Sequence, residues 1–310
     1  MRPSMLFVRR FFAPSLLLVS ACSGTSPAGT GAAIETDASP PGSGGGENTG
    51  GSGGAPSTCD GPGYGTGNAT TAFSHLSATV KDLDGNPVPD VPAQACGINL
   101  CLNGTTSASG TVAIDQSADL VRPAFKYGGG QHFAKFALPL TGDTAIHVDL
   151  GDVRTVAFDA PELGAPVVPG TAATSHGVSL LLPAGGSYAP DPIDYDTADL
   201  KKFRAASIPV AEAPSAVDPS LGFSIVVALT PSGAVLCPNA KLSVPNSAGL
   251  PAGTAVEFFV HGTEVQEDFA PYGGFAKVSG GAVTADGSAV ETADGEGLPI
   301  LSVVGIRAAR

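Results

Sequence analysis

The sequence predicts an all-β protein in which two β-sandwich-like modules follow a disordered tether rich in Gly, Ser and Pro. Three observations carry this expectation. The 310 residues include 42 Gly and 27 Pro and no Trp, a composition that favours turns and short strands. Apolar residues fall in short runs, several alternating with polar ones, bounded by Gly, Pro, Asn and Asp. A single stretch, 198–206 with its Leu200-Lys201-Lys202-Phe203-Arg204 run, suggests a short helix.

Residues 1–21 read as an export signal: Arg2, Arg9 and Arg10 precede an apolar run over 11–19, broken at Pro14 and Ser15, and Ser20-Ala21 stands before Cys22. The run is too short to span a bilayer. Val19-Ser20-Ala21-Cys22 resembles the bacterial lipobox, in which signal peptidase cuts before a diacylated cysteine. The resemblance implies that Cys22 becomes a lipidated N-terminus and that the membrane is a partner through this anchor. Acyl chains contribute about 0.8 kcal/mol per buried CH₂, so two of them hold a body on a membrane without a transmembrane helix. Ser23, where the enterobacterial sorting rule reserves Asp for inner-membrane retention, favours the outer membrane. Arg9-Arg10-Phe11-Phe12 is similar to part of the twin-arginine export motif, so the general and twin-arginine routes both stay open.

Residues 22–70 form the lipidated cysteine and tether. From 23 to 57 the chain is mostly Gly, Ser, Pro, Ala and Thr, including Gly44-Gly45-Gly46, and buries too little apolar surface to offset chain entropy. A coil of about 35 residues reaches roughly 30–35 Å. The chain carries 15 basic and 28 acidic residues, net −13. Loss of the signal removes three basic residues and leaves 12 against 28, net −16. Nucleic acid and anionic headgroups are poor partners for such a surface.

Four further cysteines, Cys59, Cys96, Cys101 and Cys237, read as two disulfides in an oxidising compartment. Cys96 and Cys101 flank Gly97-Ile98-Asn99-Leu100, a spacing that suits a bridge across a hairpin and would leave Cys59 for Cys237, although all three pairings stay open. There is no Cys-x-x-Cys, and no histidine stands at ligand spacing from them.

The first module covers residues 71–161. Strands are expected at 75–80, 88–95, 111–114, 145–148 and 153–158, with turns at 82–87 and 107–110. The string Val80-Lys81-Asp82-Leu83-Asp84-Gly85-Asn86-Pro87-Val88-Pro89-Asp90-Val91, with Ser109-Gly110-Thr111-Val112, resembles the carboxypeptidase regulatory-like, transthyretin-type sandwich of bacterial surface proteins, where this segment is a structural hairpin. Asp82, Asp84 and Asn86 open like a calcium loop, but Pro87 and Ala93 stand where the loop needs Gly and Glu.

The second module covers residues 162–310, with apolar strands at 177–182, 223–229, 240–245 and 255–260. Gly177-Val178, Pro183-Ala184-Gly185, Thr230-Pro231-Ser232-Gly233, Pro238 and Val244-Pro245 resemble ZU5-like β-modules of ankyrins, netrin receptors and bacterial surface proteins. That resemblance implies protein interaction or spacing and brings no catalytic residues.

Chemistry is sparse. No Gly-x-Ser-x-Gly, His-Glu-x-x-His or Gly-x-x-x-x-Gly-Lys pattern occurs in the folded region. His75, His132, His147, His176 and His261 are scattered, and only the fold can bring any two together. Asp191, Asp194, Asp196 and Asp199 are weak metal candidates; a solvated loop, with Asp199 at the N-terminus of the short helix, explains them more simply. Gly128-Gly129-Gly130-Gln131-His132-Phe133 reads as a flexible hairpin. No cofactor and no catalytic residue is expected. The reading is a non-catalytic protein-binding or structural module with an envelope protein as partner, and the loop from 188 to 206 as first contact. One alternative is a glycan-binding module, for which Tyr127, Tyr188 and Tyr272 would supply the platform; another is a cryptic hydrolase.

Overall fold

The computed structural model describes residues 59–65, 69–140 and 145–310; the signal, Cys22 and the tether over 23–57 lie outside them. The described chain is all-β, and its helical content is confined to single 3-10 turns.

The first eight strands are β1 (Thr70–Lys81), β2 (Pro92–Cys96), β3 (Cys101–Thr105), β4 (Thr111–Ile114), β5 (Ala118–Val121), β6 (Ala124–Gly129), β7 (Phe133–Pro139) and β8 (Ala145–Arg154). They form two four-stranded sheets. In one, β1 pairs with β4 and β5 along one edge and with β8 along the other; in the second the order is β3-β2-β6-β7. Alternation sets the face of β1: Leu76, Ala78 and Val80 are buried, while His75, Ser77 and Thr79 look outward. Phe73 also points inward, three positions before Leu76, because the register against β8 shifts between Phe73 and His75.

Two expectations need correction here. The stretches 145–148 and 153–158 are not separate strands: β8 runs unbroken to Arg154 and pairs parallel with β1 from Ala72–Ala145 to Lys81–Arg154. The extended run expected at 88–95 starts later, at Pro92, because Asp90 takes a left-handed conformation (φ 59°) and breaks it. The Asp82 turn forms as expected. Its carboxylate accepts hydrogen bonds from the Asn86 side chain and backbone N–H, and these hold it below the usual carboxylate range.

The remaining strands are β9 (Ala172–Ser175), β10 (Val178–Leu181), β11 (Ser187–Ala189), β12 (Arg204–Ile208), β13 (Ile225–Thr230), β14 (Val235–Pro245), β15 (Ala255–His261), β16 (Phe275–Val283), β17 (Ala289–Thr292), β18 (Leu298–Ile300) and β19 (Val303–Ala308). They make one sheet ordered β12-β13-β19-β15-β16-β17-β14-β10-β9, with β11 and β18 also on β14. The two ends of this sheet approach each other, and Ser175 Oγ accepts the Ala205 N–H at 3.1 Å, so the sheet comes close to closing on itself.

The short helix expected at 198–206 does not form. A turn ends at Lys201, and Arg204–Ile208 is the strand β12, paired along its length with β13. Ala205 and Ile208 gain burial and ladder hydrogen bonds there, which outweigh a local helix propensity of a few tenths of a kcal/mol per residue.

Every residue of β13 is buried, and the alternation shows why. Ile225, Val227 and Leu229 enter the interior of the large sheet, while Val226 and Ala228 point the other way, into the core between it and the first two sheets. Phe259 and Val303, on neighbouring strands, join Val226 in that second core against Phe136, Phe125 and Tyr127. Segments 71–161 and 162–310 therefore share a core, and each aliphatic side chain fully buried in it contributes roughly 1.5–3 kcal/mol. Gly305 lets Phe223 lie flat on the sheet: a Cβ there would stand 2.4 Å from the ring.

Both disulfides are present. Cys96–Cys101 joins directly paired residues of β2 and β3, with Cα atoms 4.0 Å apart. Cys59–Cys237 fastens the first described residue to β14, at 5.2 Å.

Candidate functional site

The loop over 262–274, between β15 and β16, meets the β6–β7 hairpin. That hairpin is built on Gly128, Gly129 and Gly130, all in the left-handed region; a Cβ on Gly128 would lie 1.9 Å from the Ala134 carbonyl oxygen, so the tight turn excludes any other residue there. The two strands bring Lys126 and Lys135 to the same place. Glu264 receives both, Lys135 Nζ at 3.1 Å and Lys126 Nζ at 3.4 Å, and Lys135 also reaches Asp194 at 3.1 Å.

Burial and charge act differently on the two ammonium groups. Burial lowers the Lys126 pKa, and the neighbouring Lys135 charge lowers it further. At Lys135 burial also pushes down, but Glu264 and Asp194 outweigh it, and the group is held above its ordinary value.

A second ion pair lies beside the first. Arg122 donates to Glu267 Oε1, which also accepts the Tyr272 N–H at 2.7 Å. Glu267 is 2% exposed, adopts φ 56°, and its other oxygen, Oε2, has no partner. Its backbone carbonyl accepts the Tyr64 N–H, so the start of the described chain lies along this loop. Nearby, Tyr195 Oη accepts the Ser232 N–H at 2.8 Å, while the buried Ser232 Oγ has no partner.

Ser232, Glu264 and Glu267 border a cleft of about 260 Å³. Val235, Val260, Phe269 and Ile300 supply an apolar wall; Asp191, Glu264, Glu267 and Asp268 supply carboxylates. Glu264 and Glu267 are already paired with Lys126, Lys135 and Arg122, so Asp191 and Asp268 carry the remaining negative charge of the lining.

His261 lies at its back. Its Nδ1–H donates to the Gly274 carbonyl at 3.0 Å and its Nε2 accepts the Ala137 N–H at 3.1 Å. Burial pushes its pKa down to about 4, so the ring is neutral at physiological pH. With both nitrogens committed, it cannot serve Ser232 as a base without giving up a backbone hydrogen bond.

No family model matches the chain, and no curated protein is significantly similar to it.

The four aspartates singled out from the sequence do not converge. Asp191 borders the cleft and caps the Ile193 N–H, Asp194 pairs with Lys135, Asp199 pairs with Lys202, and Asp196 is exposed. Tyr127 and Tyr272 are buried and cannot form a sugar-stacking platform; Tyr188 donates its hydroxyl to the Lys201 carbonyl. Cys22 lies outside the described residues. The Lys126–Lys135–Glu264 cluster was not expected from the sequence, although a signal existed: Lys135 interrupts the apolar run Phe133-Ala134-Lys135-Phe136-Ala137-Leu138, as a buried, paired ion does.

Proposed function

We propose that the chain is an exported lipoprotein, acylated at Cys22 and held on the outer membrane, whose β body is a non-catalytic module that binds an envelope protein. The anchor is supported by cysteine arithmetic. Of five cysteines, four pair off in the body as two disulfides, which suits an oxidising compartment, and the fifth stands in the lipobox-like sequence.

The observation that carries the binding reading is the acidic cleft with its apolar wall, flanked by a loop that exposes Ile193 (87%) beside the Asp191 at its edge. A basic side chain of the partner, Lys or Arg, would lay its stem on Phe269 and Ile300 and its charge against Asp191 and Asp268. The net charge of −16 draws basic partners toward the body.

Crosslinking on intact cells tests the reading. Ile193→Ser combined with Asp268→Asn should lower capture of a basic envelope protein while leaving the thermal transition unchanged; full capture by this variant places binding elsewhere. Cys22→Ser should move the protein from the membrane to the soluble fraction and abolish acyl labelling. A wild type without acyl label overturns the anchor.

A further inference from the structure

In the other sheet of the first segment, three neighbouring strands align polar side chains on one outward face. His75 of β1 and His147 of β8 are direct cross-strand partners, and their rings stack with centroids 4.7 Å apart and planes at 30°. Asp115 directly follows β4, whose Ile114 is paired with Leu76, so it falls beside His75; its Oδ1 lies 2.5 Å from His75 Nδ1. One step along, Ser77 is paired with Asp149, whose carboxylate is fixed by the Gly151 N–H at 3.0 Å. The row Asp115–His75–His147 is carried by a backbone ladder, and none of its members is used by the cleft.

We propose that this row binds a divalent transition-metal ion of the zinc or copper type. The chemistry follows from the hydrogen bond to Asp115. With His75 Nδ1–H donating to a carboxylate, the tautomer is fixed and the Nε2 lone pair is free for a metal. His147, exposed, supplies the second imidazole.

Asp149 lies one register step along the same strand, and water completes the shell. Among the described residues no group of three His, Cys, Asp or Glu is placed to hold a metal, so the proposal rests on the two imidazoles alone as protein ligands. Imidazole nitrogen selects zinc or copper over calcium or magnesium, which prefer all-oxygen shells. The body's four cysteines are bonded to one another and offer no competing thiolates.

The test is titration of the purified, oxidised full chain with ZnCl₂ and with CuCl₂, followed by calorimetry and by the histidine ring signals in proton NMR. One equivalent should bind, and two of the five imidazoles should shift together. CaCl₂ and MgCl₂ should leave them unmoved. His75→Gln and His147→Gln should each weaken binding tenfold or more, and Asp115→Asn by about 10–100-fold through the lost orienting bond. His176→Gln should change nothing, although His176 also pairs with a carboxylate, Asp159. No uptake by the wild type, shifts confined to His132 or His176, or full affinity in the double variant His75→Gln/His147→Gln overturns the proposal. Because the NMR result uses the wild type alone, it decides the matter even if a variant fails to fold.

Discussion

His261 Nε2 accepts the Ala137 backbone N–H at 3.1 Å, so an imidazole from β15 completes the hydrogen bonding of β7 in the other half of the chain. This bond requires the neutral ring. It makes the contact between the halves sensitive to acid.

The pKa of His261 is about 4 in the fold against an ordinary 6.5, because burial penalises the charged ring. A base depressed by folding contributes its full stability above pH 6.5 and loses it as pH falls from 6.5 to about 4, since only the unfolded chain takes up the proton in that window. The difference corresponds to about 3 kcal/mol. Urea unfolding from pH 7.5 to 4.5 should show that slope, and His261→Gln should flatten it; an identical slope in the variant refutes the assignment.

Lys135 is 6% exposed and sits between Glu264 and Asp194. Lys135→Ala leaves Glu264 with Lys126 and the Thr263 hydroxyl and, because Glu264 and Asp194 stay partly exposed to water, should destabilise by about 1–2 kcal/mol. Lys135→Met combined with Glu264→Gln removes both charges and should recover part of that loss. Thermal unfolding of the single and double variants checks the difference.

The glycines of the β6–β7 hairpin should separate cleanly. Gly128→Ala meets the Ala134 carbonyl and should cost at least ~3 kcal/mol, strain and clash together, whereas Gly130→Ala finds open space and should cost only the ~1 kcal/mol of a left-handed conformation. Equal effects at the two positions would show that the turn relaxes.

Reduction should affect the two disulfides unequally. Cys59–Cys237 closes a separation of 178 residues and on chain-entropy arithmetic contributes about 5 kcal/mol; Cys96–Cys101, with a separation of 5, contributes about 2. Cys237→Ser should therefore lower the unfolding midpoint more than Cys101→Ser. Non-reducing peptide mapping of the wild type should recover these two pairs and no others.

The sequence by itself determined the all-β class, the hairpin turns at Asp82–Asn86 and Gly128–Gly130, and a disulfide framework in which Cys96 and Cys101 sit across a hairpin. These are local properties: a turn residue at positive φ, a period of two, and a spacing of five act within a few residues of one another. Tertiary structure decided the rest. The stretch Leu200-Lys201-Lys202-Phe203-Arg204 carries a helical signal, yet Arg204–Ile208 is a strand because β13 offers it a ladder and a core. The apolar run 223–229 marks a strand buried on both faces, but nothing in it says that one face belongs to residues about ninety to a hundred positions earlier. Lys126 and Lys135 meet Glu264 because the shared core brings the 262–274 loop onto the β6–β7 hairpin, and His75 meets His147 because sheet register makes them cross-strand neighbours; both follow from which apolar faces are buried together, a property of the whole chain.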